Sequence, residues 1–513
     1  MPSSLVLDGH SLTLDQVWRA SHAGPQEIEL SIHPQSLAQM KESRQFVSQI
    51  LDGQKPIYSI NTGFGALSDK RIKKEDLSAL QYNLIRSHCT GIGPAFGREV
   101  SRAVMLLRAN CLVAGLSGIG PRIVELLIDF LNLDIIPVIP QKGSVGASGD
   151  LAPLAHVALA LIGEGEVTCG GKVLSGDKAL KSHGKTPAVL GAKDGLALIN
   201  GTAVMGALAS LAVVESERLA KLSDIACALS LEAMRGTSEA FHEGLHLAKP
   251  HEGQVDSAFN LRLLLKESEI ASSHKDCPKV QDPYSLRCAP QVHGASRETI
   301  THAKKIAQVE INAVTDNPLV FSKSREIVSG GNFHGQALAL SMDYLAMGLS
   351  ELANIAERRI EKMMNPYFSD LPGFLTHDSG LHSGLMIAQV SAAALVGENK
   401  VLCHPASVDS IPTSGDKEDH VSMGVTSGRK LHEILENVKQ CLAIEFLCNT
   451  QGLEFLKPLS PPAPLKAVYD LIRRHVPPIR KDRPLHKDIA LIKGLIDSNA
   501  IVETCERVTG KLR

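Results

Sequence analysis

Three stretches of this chain, residues 202–234, 336–366 and 424–451, are rich in alanine and leucine and repeat apolar residues at helical spacing. At 1.5 Å per residue a helix of roughly 30 residues is about 45 Å long, more than a compact monomer needs. Helices of that length bury their apolar sides against one another, so the expected fold is mainly α, a long-helix bundle shared between subunits. Shorter helical patterns cover 98–116, 151–162 and 382–400. Strand signals are few. The best is Glu166 to Leu174, where Gly170-Gly171 suits a hairpin turn, and a weaker one precedes Asp8-Gly9. Mixed short elements give way to long helices near residue 200, which divides the chain into an N-terminal mixed domain, 1–200, and a bundle domain, 201–513, forming the oligomer core. The Pro-rich stretch at 458–464 reads as a turn between helices.

Composition excludes several function classes. A formal charge of −2 and a pI near 6.9 give no electrostatic footprint for nucleic acid or an anionic membrane. No apolar run approaches the roughly 18 residues of a membrane span. The amino terminus, MPSSLVLDGHSLTLDQ, lacks the basic region and apolar run of a secretory signal. Ten cysteines lie scattered without paired spacing, as expected of reduced thiols in the cytoplasm rather than a disulfide framework.

The chemistry concentrates at residues 143–156, GSVGASGDLAPLAH. Side chains include nucleophiles, acids and bases but no strong carbon electrophile, so a chain that needs one borrows a cofactor or builds it. Ala147-Ser148-Gly149 can build it. The Gly149 amide nitrogen attacks the Ala147 carbonyl carbon and a first water leaves as an imidazolone ring closes. A second water takes the Ser148 hydroxyl and leaves an exocyclic methylidene. Glycine at the third position lets backbone approach backbone, and alanine at the first keeps the corner small. Asp150 is a good N-cap for a helix that tolerates Pro153 in its first turn and points its positive end at the new electrophile.

With these flanks the tripeptide resembles the methylidene-imidazolone family of aromatic amino acid ammonia-lyases, and the resemblance runs over roughly residues 5–505. It implies a prosthetic group made from Ala147, Ser148 and Gly149, with no external cofactor and no metal. It also implies an all-α homotetramer whose sites are shared by three subunits. Within it, Tyr58 of YSINTGFG takes the place of the catalytic tyrosine that removes the substrate β-proton. A phenol with an ordinary pKa of about 10 needs nearby positive charge or dipoles for that task. His88 of YNLIRSHCTGIG and Glu418 of TSGDKEDHVSMG correspond to the readers of the side chain, and histidine at position 88 accompanies an imidazole substrate. The resemblance therefore implies loss of ammonia from L-histidine to give trans-urocanate. In VQDPYSLRCAPQVHG, Arg287 suits a planar carboxylate through paired hydrogen bonds. Gln281 and Tyr284 correspond to supporting residues around the substrate and the ring, and Tyr284 is counted with the catalytic set. Asn200 of ALINGTAVMG corresponds to a ligand for the substrate's amino-acid end or the ring carbonyl, and Phe333 of SGGNFHGQ to an aromatic packed on the ring. One departure stands beside Glu418: the family commonly has Asn-Gln before Glu-Asp-His, and this chain has Asp416-Lys417.

Each of these residues also has a plainer reading as cap, hinge, core or solvated face. Three other functions share parts of the pattern. A tyrosine or phenylalanine ammonia-lyase, or an aminomutase that returns the amine, would use the same electrophile. A noncatalytic helical scaffold would have no need of competent residues at every matched position. A zinc peptidase is suggested by HEGLH at 242–246, with His242 and His246 on one helix face. Against it, Gly244 sits inside that helix, Pro250 ends it early, and Lys249 and Glu252 stand where an extended zinc pattern needs glycine and histidine.

Overall fold

The computed structural model describes residues 3–51, 60, 62–63, 70–274 and 280–513. Helices dominate, and they follow the periodicity closely. The expected stretches become Arg98–Val113, Leu151–Leu161, Ala203–Ala233, Gln336–Met364, Met386–Leu402 and Gly424–Glu454. The Gly170-Gly171 hairpin joins Glu166–Cys169 to Lys172–Ser175, with Val167 opposite Leu174. The weaker strand signal is Ser3–Leu7, paired parallel to Ile28–Ile32. The chain between Glu454 and Ala463 is the Pro-rich connection between two helices.

Two compact units form, each discontinuous in sequence. The first comprises residues 1–214, 303–343 and 405–429; the second comprises 215–302, 344–404 and 430–513. The first passage, after Val214, falls near the boundary read at residue 200, and residues 201–513 are divided between the units because the chain returns twice. The three passages from the first unit to the second fall inside long helices, which carry the chain onward without a linker.

Among the described residues, the first unit holds every strand, and it holds the helix Arg98–Val113, in which every residue from Ser101 to Val113 is buried. Two arginines survive that burial because carbonyl groups receive their guanidinium donors. Arg102 donates to the Leu131 carbonyl (3.0 Å) and to Asp134 (2.8 Å), and Arg108 Nε donates to the Ala197 carbonyl (3.0 Å), near the end of the helix Asp194–Ile199. The same unit buries Lys193 against Asp316 at 2.6 Å, both without exposed side-chain surface.

The second unit is a helical assembly with a buried polar interior. Arg359 pairs with Glu445 at 2.5 Å, and Asp224 accepts from Arg297 (2.7 Å), Ser257 (2.6 Å) and Asn260 (2.9 Å) and binds His293 at 2.8 Å. Gly348 lets two helices touch: the Ser296 hydroxyl donates to its carbonyl at 2.6 Å, and a Cβ there would strike Thr299. Among the described residues no helix is long and apolar enough to cross a membrane.

The HEGLH segment is structural in this unit. Its helix is five residues long, Glu243–Leu247, and His242 caps it by accepting the Gly244 N–H at 3.1 Å. His246 is buried with both ring nitrogens engaged. Nε2 donates to the Ala240 carbonyl (3.1 Å), which leaves Nδ1 to accept from Gln254 (3.0 Å).

Candidate active site

The loop carrying Ala147-Ser148-Gly149 lies in the first unit and is fastened on both sides. Val145 accepts from the Met423 N–H (2.8 Å), Gly146 accepts from the Ser422 hydroxyl (3.1 Å), and the Asp150 N–H donates to Gly201 (2.8 Å). Gly149 pairs with Gly201 in an isolated bridge and has φ +73°, and a Cβ on it would lie 2.7 Å from Gly201 N and closer still to the Gly201 carbonyl. No residue but glycine fits there without displacing backbone, which is what ring closure through the Gly149 nitrogen requires. Asn200 caps the end of helix Asp194–Ile199 and donates from Nδ2 to the Ser148 carbonyl at 2.8 Å, the oxygen that would become the ring carbonyl. Its Oδ1 is buried and has no partner, an acceptor suited to an ammonium or amine donor. These three features fit the methylidene-imidazolone ring.

Asp150 departs from its expected role. It holds the N-cap position of Leu151–Leu161 but makes no side-chain bond to that helix. Its carboxyl reaches the other helix start instead, accepting from Val204 N–H (2.8 Å) and Met205 N–H (3.0 Å), while Ser144 donates to it at 3.1 Å. Two helix N-termini therefore converge on the loop, an arrangement that favours negative charge. Burial pushes the Asp150 carboxyl up to about 7 in spite of these donors.

Beside the tripeptide opens a cavity of about 560 Å³. His88, Ser148, Asn200, Phe333 and Glu418 all line it, brought together from separated stretches of the first unit. His88 ends the helix Leu77–His88, and its Nδ1 lies 2.8 Å from the Leu84 carbonyl. A carbonyl only accepts, so Nδ1 carries the proton and neutral His88 keeps Nε2 as an acceptor. Burial lowers the His88 pKa below the ordinary histidine value, which keeps the ring neutral near pH 7.

Glu418 is held by its own turn. Thr413 and Glu418 exchange backbone hydrogen bonds of 3.0 and 3.3 Å, closing a tight turn with left-handed backbone at Ser414, Gly415 and Asp416. The Thr413 hydroxyl donates to one carboxylate oxygen at 2.7 Å, and the Ser148 hydroxyl donates to the other in a short contact. Asp416 and Lys417, the departure from the family pattern, are exposed in this turn.

Gln281, Tyr284 and Arg287 do not line this cavity. Tyr284 and Arg287 form a one-turn helix of the second unit, with the guanidinium 4.6 Å from the tyrosine ring centre and Tyr284 70% exposed. Gln281 precedes them, also in the second unit. Tyr58 lies outside the described residues. Sequence reading missed several wall residues, among them Lys70, Asn83, Leu196 and Asn317, and it missed Thr413 and Ser144 as supports. No local motif marks them, since their roles come from contacts with distant segments.

With fold and site in view, comparison with known proteins defines the class. Residues 12–474 match the aromatic amino acid lyase family, and the chain belongs to it. Histidine ammonia-lyase of Myxococcus xanthus is 48% identical over 505 residues, covering 98% of this chain and 99% of that one. The crystal structure of histidine ammonia-lyase from Trypanosoma cruzi superposes with a TM-score of 0.91 at 42% identity, over 98% of this chain and 95% of that one. Tyrosine aminomutase from Streptomyces globisporus superposes equally well, TM-score 0.93 at 38% identity with both chains fully covered. The fold is therefore common to members that eliminate an amine and members that move it.

Proposed function

We propose that this chain is an ammonia-lyase that converts L-histidine to trans-urocanate, with an electrophile formed from its own Ala147-Ser148-Gly149. The observation that carries the reading is the pair of acceptors, His88 Nε2 and the Glu418 carboxylate, on the wall that also holds Ser148. An imidazole ring carries one N–H donor for such acceptors, and a second when protonated, whereas a phenyl ring would leave His88 Nε2 without a donor. The methylidene-imidazolone supplies a carbon electrophile that turns an amine nitrogen into a better leaving group.

The chain's own residues then divide the remaining work. Asn200 holds the ring carbonyl through Nδ2 and offers Oδ1 to the substrate's amino-acid end. Arg287 binds the carboxylate in a paired geometry, with Gln281 and Tyr284 in support. Phe333 packs on the ring, and Tyr58 removes the β-proton. These residues meet in a homotetramer whose sites are shared between subunits. Support for assembly comes from the open apolar surface of the second unit, where Tyr284, Leu381, Ile387, Val390 and Val401 are exposed. The nine described cysteines are free thiols, which supports a cytoplasmic location.

The likeness to an aminomutase favours a second reading, in which the amine returns to the β-carbon. One experiment separates the readings. Purified protein is incubated with histidine, phenylalanine and tyrosine while ammonia, ultraviolet absorbance and β-amino acids are followed, and the peptide containing residues 143–156 is weighed. Urocanate formation by a chain lighter by two waters is expected. Faster release of cinnamate or coumarate, or a β-amino acid product, would overturn the histidine assignment, and an unmodified peptide from active protein would overturn the electrophile.

A further inference from the structure

Ala147 and Ser148 form the crown of an arch whose two feet meet at one hydroxyl. Ser144 Oγ accepts the Gly146 N–H at 3.1 Å on the leading side. On the trailing side it donates to Asp150 Oδ1 at 3.1 Å, with the Gly149 carbonyl oxygen 3.4 Å away as a second acceptor. Gly146 and Gly149 both have left-handed backbone, φ +68° and +73°, so the chain reverses at each foot. The bonds from Met423, Ser422, Asn200 and Gly201 fasten the arch to its surroundings, whereas Ser144 fastens its feet to each other.

We propose that Ser144 is a positioning residue for closure of the prosthetic ring: by tying Gly146 to Gly149 and Asp150 it holds the Gly149 nitrogen within reach of the Ala147 carbonyl carbon. The inference rests on the electrophile reading above. The step balances without an oxidant or other reagent. A bond forms between Gly149 N and Ala147 C, and the Ala147 oxygen leaves as water with the amide protons of Gly149 and Ser148, giving a carbon–nitrogen double bond. A second water removes the Ser148 hydroxyl and its α-proton, giving the methylidene. Amide nitrogens are poor nucleophiles, so the reaction depends on restraint of the two reacting atoms, and a bridge across the arch supplies it.

The test uses the full-length chain with Ser144→Ala and Ser144→Thr. Folded protein is isolated at intervals, and mass spectrometry gives the fraction that has lost two waters, while thermal unfolding of the same samples gives stability. The alanine variant should dehydrate about tenfold more slowly than wild type, the rate equivalent of one hydrogen bond, and threonine, which keeps the hydroxyl, should restore the wild-type rate. A purely structural role would lower the unfolding temperature and leave the rate in folded protein unchanged. Wild-type dehydration in folded Ser144→Ala would overturn the proposal. If the alanine variant does not fold, the threonine variant decides: dehydration at the wild-type rate supports the proposal, and slow dehydration overturns it. A wild-type chain of full encoded mass would overturn the electrophile reading itself, a separate result.

Discussion

Replacing Asp150 with asparagine isolates the cost of a carboxylate kept away from water. Asp150 is fully buried, and burial pushes its carboxyl from 3.8 up to about 7. Between those values the folded chain keeps a proton that the unfolded chain has released, so stability falls as pH rises. The contribution is fully present below about 3.8 and lost once pH passes about 7. The gap is about three pH units, and at 1.36 kcal/mol for each it amounts to about 4 kcal/mol, of which roughly 3 lies above pH 5. Asparagine stays neutral throughout. Its oxygen can accept the Val204 and Met205 N–H groups, and its amide can donate to Ser144 Oγ. In urea unfolding of both proteins at pH 5 and pH 8, the stability difference should shift by roughly 3 kcal/mol in favour of asparagine at the higher pH. A difference that stays the same at both pH values would refute the reasoning. It would mean that the converging N–H donors outweigh burial and that Asp150 is ionised in place.

Three further outcomes are expected. Gly149→Ala should destabilise the first unit by about 2–3 kcal/mol, from left-handed backbone and the strained Asp150 N–H bond to Gly201, and should keep both waters; thermal unfolding and intact mass check this. Glu418→Ala should lower histidine turnover by at least about 10²-fold while the two-water loss persists, and phenylalanine should remain a very poor substrate of the wild type, as parallel ammonia assays would show. Thr413→Val removes the 2.7 Å hydrogen bond that orients Glu418 and should cost about tenfold or more in kcat/KM for histidine, with Thr413→Ser restoring it; equal kinetics for all three chains would mean that the turn holds Glu418 unaided.

Helical periodicity and the tripeptide were legible along the chain because both depend on neighbours in sequence. Apolar spacing alone predicts helices over 202–234 and 424–451, which form as Ala203–Ala233 and Gly424–Glu454, and Gly170-Gly171 alone predicts a hairpin. Likewise, the atoms of ring closure all belong to three consecutive residues. What the tertiary structure decided is who faces whom. The Asp150 carboxyl looks like a cap for its own helix but serves the start of a helix some fifty residues later, because folding brings those N–H groups within hydrogen-bond reach of it. His246, half of a zinc-like motif, has both ring nitrogens occupied by groups outside that motif. His88, Ser148, Asn200, Phe333 and Glu418 share one wall through folding rather than spacing, and Thr413 and Ser144 gain their roles from the same packing. Local pattern encodes which backbone conformation a segment prefers. Burial and long-range hydrogen bonding determine which of its polar groups remain free for chemistry, and those depend on the whole folded chain.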